Sequence, residues 1–152
     1  MNYLFIVNPT AGRGETKKKW EELKAIIEKL DFDYDVVFTE EAGEGVFLAK
    51  EGIERGYSVL VAVGGDGTIN EVIRGINESN TDEEVKLGII PTGTGNDLVR
   101  TLNIPEDIKR CFEIIKNGCT KKIDLGKVDG DYFLNVVGMG FDAAVAEEIN
   151  RN

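Results

Sequence analysis

Two hydrophobic rhythms alternate along this 152-residue chain. Short β-favouring runs at 3–7, 34–38, 59–63 and 86–90 predict four strands. The 59–63 run, Val-Leu-Val-Ala-Val, is too apolar for a half-exposed strand. It predicts a central strand buried on both faces, as in a parallel sheet. Between the runs, apolar residues recur at helical spacing: Trp20, Leu23, Ile27 and Leu30; Val46, Ala49 and Ile53; Ile69, Val72, Ile73 and Ile76. Pro105 reads as the first residue of a further helix, with Glu106 and Asp107 in its first turn. Ile108, Phe112 and Ile115 form its buried face, and Gly118 ends it. This alternation predicts an α/β fold with an open, mostly parallel sheet and helices on both faces.

Near residue 120 the pattern changes. Segments 122–128 and 131–137 flank Asp129-Gly130, a two-residue hairpin signal. The loop 138–143 then leads to a short helix carrying Val145 and Ile149. The expected division is an α/β domain over 1–121, followed by the opening hairpin and helix of an incomplete β-rich second domain over 122–152. A hairpin with unpaired edges is marginal in water. Residues beyond Thr120 are therefore expected to be mobile or paired with a second copy as a homodimer, the other outcome being a fold-back onto the first domain.

Three of the four strands end in small-residue loops. Asn8-Pro9-Thr10-Ala11-Gly12-Arg13-Gly14 follows the first and Gly64-Gly65-Asp66-Gly67-Thr68 the third. Pro91-Thr92-Gly93-Thr94-Gly95-Asn96-Asp97 follows the fourth. A glycine turn between a buried strand and a helix presents free backbone N–H groups, the usual cradle for phosphate. Each loop also has a plainer reading. Thr68 and Glu71 have capping-box spacing, Asp66 suits an ordinary turn, and Asn96 or Asp97 suits a helix cap. In a doubly wound sheet all three loops lie along one edge, where ligands bind, and that convergence favours a site. Thr39, at the end of the second strand, reaches the same edge. Arg13 and Lys17, Lys18 and Lys19 are available for a phosphate, although at least two of the lysines suit a solvated helix face. Asn70 occupies the place of the third glycine of a dinucleotide fingerprint, and no P-loop motif is present.

Composition narrows the choice. A formal charge of −10 argues against a nucleic-acid partner and against loose attraction to anionic membranes. Without histidine, a Ser-His-Asp triad and a zinc-histidine site are both impossible. Cys111 and Cys119 match no metal motif and suit reduced thiols in a cytoplasmic protein. No apolar run has the length of a signal peptide or a membrane span.

The segments Asn8-Pro-Thr-Ala-Gly12, Gly64-Gly-Asp-Gly-Thr-Ile-Asn-Glu71 and Pro91-Thr-Gly-Thr-Gly-Asn-Asp97 resemble the ordered motifs of the diacylglycerol kinase catalytic domain, bacterial lipid kinases above all. Asp124-Leu-Gly-Lys127 and Gly138-Met-Gly-Phe-Asp-Ala143 extend the likeness over essentially the whole chain. The resemblance implies a phosphofructokinase-like nucleotide domain and transfer of phosphate from ATP to a lipid hydroxyl, commonly that of diacylglycerol. It implies nucleotide contacts at Asn8, Pro9, Thr10, Ala11, Gly12, Thr39, Gly65, Asp66, Gly67, Thr68, Ile69, Asn70, Glu71 and Thr94. Asp66, Asp97 and Asp124 match acidic positions around Mg2+ and its water, and Asp66 is the candidate catalytic group within the chain. Members of this family continue into a second half that carries the general base and touches the membrane at its inner face. The 152 residues then form the ATP-binding part, inactive alone. NAD kinases and sugar kinases share the Gly-Gly-Asp-Gly loop and remain alternatives, as does a non-catalytic nucleotide-sensing module.

Overall fold

The computed structural model of the chain describes residues 2–30, 32–79, 81–128 and 131–134. Strands β1 (Tyr3–Val7), β2 (Asp35–Phe38), β3 (Val59–Gly64) and β4 (Lys86–Pro91) form one parallel sheet in the order β2-β1-β3-β4. The chain moves to one side of β1 to add β2 and to the other to add β3 and β4. The topological switch therefore lies between β1 and β3, at the middle of the sheet.

The apolar runs of β1 and β3 divide residue by residue between two cores, because successive side chains leave a strand on opposite faces. Phe5, Val7, Val61 and Val63 pack with Trp20, Leu23 and Ile27 of α1 (Glu15–Glu28) and Phe112 of α5 (Ile108–Lys116). Leu4, Ile6, Leu60 and Ala62 pack with Ala49 of α2 (Glu44–Glu54) and with Ile69, Val72 and Ile73 of α3 (Asp66–Glu78). Burying one such large side chain stabilises the fold by about 1.5–3 kcal/mol. The expected three-layer α/β architecture follows directly. On the β2 edge the burial is partial, and Phe38 remains 47% exposed.

Some boundaries differ from the sequence reading. Helix α1 ends at Glu28, so Leu30 leaves the buried stripe and is 45% exposed. Helix α3 starts at Asp66, two residues before Thr68, because Gly65 already has the extended conformation of an N-cap. Helix α5 starts at Ile108 rather than Pro105. The Asp107 carboxylate caps it by accepting from the Arg110 backbone N–H at 2.9 Å, while the Pro105 carbonyl accepts from the Cys111 thiol. A fifth helix, α4 (Asp97–Thr101), follows the third glycine loop directly.

Beyond residue 121, β5 (Gly126–Val128) and β6 (Asp131–Phe133) pair antiparallel. Leu125 and Leu134 pack against the core cluster on the α2–α3 face, and β6 lies against α3. The described part of the hairpin therefore takes the fold-back course, because these two leucines find apolar partners on the sheet domain itself. The 138–143 loop and the helix of Val145 and Ile149 lie outside the described residues. No described helix is long and apolar enough to cross a membrane.

Candidate functional site

The carboxyl ends of all four parallel strands open onto one cleft of about 510 Å³. The β1 loop contributes Asn8, Thr10, Ala11 and Gly12, and the end of β2 contributes Thr39, Glu40, Glu41 and Ala42. From β3 and α3 come Gly65, Asp66, Gly67, Thr68 and Glu71, and from the β4 loop Gly93, Thr94 and Gly95. The three glycine loops and Thr39 thus meet at the edge where the strand order reverses.

Most of the polar side chains in these loops are occupied in holding the loops together. Asn8 Oδ1 accepts from the Thr10 and Ala11 backbone N–H groups at 3.1 and 3.2 Å, while its Nδ2 donates to Thr68 Oγ1 at 3.1 Å. Gly12 has φ of +61° and turns its backbone against the Thr92 carbonyl, where any side chain would collide. The Thr16 hydroxyl donates to the Ala11 carbonyl and lies 2.6 Å from the buried Thr92 hydroxyl, tying the first loop to the third. Gly93 and Gly65 pass so closely that a Cβ on Gly93 would stand 2.6 Å from Gly65 Cα.

Asp66 closes the same network. Its carboxylate accepts from the backbone N–H groups of Asp97 and Leu98, each at 3.3 Å, and so ties the second loop to the start of α4. Glu71 accepts from the Gly43 and Gly45 backbone N–H groups at 2.9 and 3.1 Å. Neither half of the capping box that the spacing of Thr68 and Glu71 would permit is therefore formed. Tertiary partners, Asn8 and the start of α2, take both side chains.

The start of α3 adds backbone groups to the cleft. The first intrahelical bond of α3 runs from Ile69 N–H to the Gly65 carbonyl. The N–H groups of Asp66, Gly67 and Thr68 therefore have no intrahelical acceptor. They carry the positive end of a 13-residue helix dipole at the cleft. The charged side chains of the lining are all acidic: Glu40, Glu41, Asp66 and Glu71, with no Lys or Arg among them. Arg13, in the turn ahead of α1, and Lys17 to Lys19, in α1, do not line the cleft.

Other expected positions fall outside the cleft. Ile69 is buried in the α3 core, 1% exposed, while Asn70 is exposed and Pro9 lies beside the lining residues rather than among them. The Asp97 side chain is 74% exposed and pairs with Arg100 at 3.3 Å. Asp124 is exposed just ahead of β5. Among the described residues no three Asp, Glu or Cys side chains stand close enough to hold a metal ion. Asp66 and Asp97 meet only through the Asp97 backbone N–H.

Gly93 and Gly95 of the third glycine loop line the cleft as expected, and so do Glu40, Glu41 and Ala42, which no motif singled out. Their signal was positional, since each lies just after the end of a parallel strand. Thr16, inside α1, carried no such signal, whereas Thr92 and Asn96 belong to the third glycine loop. Asn96 sits at the N-cap of α4 with φ of 54°, buried, its Oδ1 without a hydrogen-bond partner.

The family model of the diacylglycerol kinase catalytic domain matches residues 2–128. The chain is 39% identical over 135 residues to a diacylglycerol kinase of Staphylococcus epidermidis, covering 89% of this chain and 42% of that protein. It is 40% identical over 136 residues to one of Bacillus subtilis, covering 89% of this chain and 44% of the relative. A crystal structure of a diacylglycerol kinase from Bacillus anthracis superposes with a TM-score of 0.72 at 32% identity, over 88% of this chain and 46% of the other. The chain thus spans less than half the length of these relatives. The Gly-Gly-Asp-Gly loop alone left NAD and sugar kinases open, whereas the match runs through every strand of the sheet and all three glycine loops. This chain belongs to the diacylglycerol kinase catalytic domain family.

Proposed function

We propose that this chain is the nucleotide-binding part of a kinase that transfers the γ-phosphate of ATP to a lipid hydroxyl, that of diacylglycerol first of all. The observation that carries this reading is the convergence of three glycine loops and the start of α3 on one cleft. Phosphoryl transfer depends chiefly on positioning and charge stabilisation, and backbone amides at a helix start contribute to both. The N–H groups of Asp66, Gly67 and Thr68 are assigned to the phosphates, with the 8–12 loop and Thr94 flanking them and Thr39 at the opposite end. A cleft lined by carboxylates needs added positive charge to hold a triphosphate. In this reading Mg2+ would come bound to the nucleotide and neutralise part of its charge, with Asp66 the matching acidic position that lies in the cleft lining.

Asp66 is a poor general base in this arrangement, because both carboxylate oxygens accept backbone N–H groups. The base that takes the lipid proton is assigned to the part of the relatives that this chain does not span, together with the lipid-binding surface and peripheral contact at the inner membrane face. A cytoplasmic location follows from that reading. Pairing of two copies is not required by it.

The test is titration calorimetry of ADP and ATP in magnesium buffer against the wild type and Gly67→Val. Gly67 lines the cleft and has no atom within 4 Å of an added Cβ, so the valine meets open space rather than protein. The fold is expected to persist while nucleotide affinity drops at least about tenfold, the cost of losing one charge-assisted hydrogen bond. Equal affinity in the two proteins removes the loop from the site. A labelled-ATP assay on the same chain with diacylglycerol micelles is expected to give no phosphatidate. Saturable turnover by these 152 residues would overturn the division of labour.

A further inference from the structure

Glu71 lines the cleft, yet its carboxylate faces away from any ligand role. Both oxygens are engaged by backbone N–H groups at the start of α2, Gly43 at 2.9 Å and Gly45 at 3.1 Å. The first N–H groups of a helix have no intrahelical acceptor, so a carboxylate supplied by α3 fills the place that a capping side chain would take. Gly43, the N-cap of α2, offers no side chain for that purpose. The fit is close. A Cβ on Gly45 would stand 2.7 Å from Glu71 Oε2 and 3.0 Å from Glu71 Cβ.

The start of α2 in turn holds the β2 wall of the cleft. The Glu44 carboxylate accepts from the Glu40 and Glu41 backbone N–H groups, and Thr39 N–H donates to the Val7 carbonyl at 2.9 Å. Thr39, Glu40, Glu41 and Ala42 make up that wall. The chain of contacts runs from Glu71 on α3 through Gly43 and Gly45 to Glu44, and from there to the wall. We propose that Glu71 is a positioning residue. It sets the shape of the cleft by tethering α2, and acts on a nucleotide through the 39–42 wall rather than by touching it. This inference rests on the reading that the cleft takes a nucleotide, and it assigns Glu71 a role different from the direct contact that family resemblance suggested.

Two measurements on the 152-residue chain test it, using Glu71→Gln, Glu71→Ala, Gly45→Ala and the double variant Gly45→Ala/Glu71→Ala. Amide hydrogen exchange at Gly43 and Gly45 reads the tether without any ligand. Protection there is expected to fall about tenfold in Glu71→Gln, which keeps one acceptor, and further in Glu71→Ala. Unchanged protection overturns the tether. Calorimetry with ADP, on variants shown to be folded by circular dichroism, reads the positioning role. Glu71→Gln and Gly45→Ala are each expected to weaken ADP about three- to tenfold. The losses in the double variant should fall short of additive, because removing the carboxylate relieves the 2.7 Å contact with the new methyl and leaves only the 3.0 Å contact with the Cβ that alanine keeps. Additive losses, or wild-type affinity in Gly45→Ala once its Gly43 and Gly45 protection is lost, overturn the positioning role. A wild type that shows amide protection but does not bind ADP sinks the nucleotide reading itself, and the positioning role with it.

Discussion

Gly75→Ala is the substitution whose outcome the packing of α2 against α3 determines most sharply. Alanine inside a helix is ordinarily favoured over glycine by about 0.5–1 kcal/mol, because the unfolded chain has less freedom to lose. Here the added methyl would stand 2.5 Å from Ala49 Cβ and 2.5 Å from the Val46 carbonyl oxygen, both on α2. Neither can rotate away, since one is fixed to its backbone and the other is backbone. The two helices must separate, and overpacking of this kind costs about 1–3 kcal/mol. The expected net loss is about 1–2 kcal/mol, which lowers the melting temperature of a domain of this size by about 2–8 °C. Thermal and urea unfolding of the wild type and Gly75→Ala provide the measurement. Gly67→Ala, whose methyl meets no atom within 4 Å, is the control expected to match or slightly exceed the wild type. Adding Ala49→Gly to Gly75→Ala should restore part of the loss but not all, because the Val46 carbonyl remains in the way. A Gly75→Ala protein as stable as the wild type would refute the reasoning, since ordinary helix propensity would then outweigh the contact.

Two further outcomes follow from the ionisable groups. The Lys50 ammonium, hydrogen-bonded to Glu78 across α2 and α3, holds the Glu78 carboxyl below its ordinary value of 4.5, with Arg74 adding to the effect. The stabilisation is therefore present above that value and is lost as pH falls through the lower folded one. The stability difference between wild type and Glu78→Gln, read from melts between pH 3 and 7, should vanish at the acid end; a constant difference would refute the linkage. Burial, with Asp107 nearby, pushes the Cys111 thiol up to about 12, whereas Cys119 is exposed. A disulfide-exchange reagent at pH 8 should titrate one thiol quickly and the second only after denaturation, and two equally fast thiols would contradict the burial.

Layering was legible in the sequence because strands buried on both faces must be apolar throughout. The 3–7 and 59–63 runs could occupy only the middle of a sheet covered by helices. The glycine loops were legible for a related reason: backbone that must turn sharply and approach its neighbours closely excludes side chains, and glycine records that exclusion in the chain itself. Gly12 against Thr92 and Gly93 against Gly65 are such approaches. The boundaries at Asp66 and Asp107 were less legible, since Thr68 and Pro105 offered equally good local signals.

What only the tertiary structure decided is which polar groups are spent and which are free. Asn8, Asp66, Thr68 and Glu71 have the residue types of a binding site, yet each makes a hydrogen bond to a segment at least 26 residues away. No local pattern encodes those partners, because the parallel crossovers bring the loops together only after each strand is in register. The same assembly leaves Lys17 to Lys19 out of the cleft lining and puts the start of α3, Asp66, Gly67 and Thr68, into it. Spacing along a chain reports which groups are available, but hydrogen bonding is satisfied in space, and the sheet determines the distances.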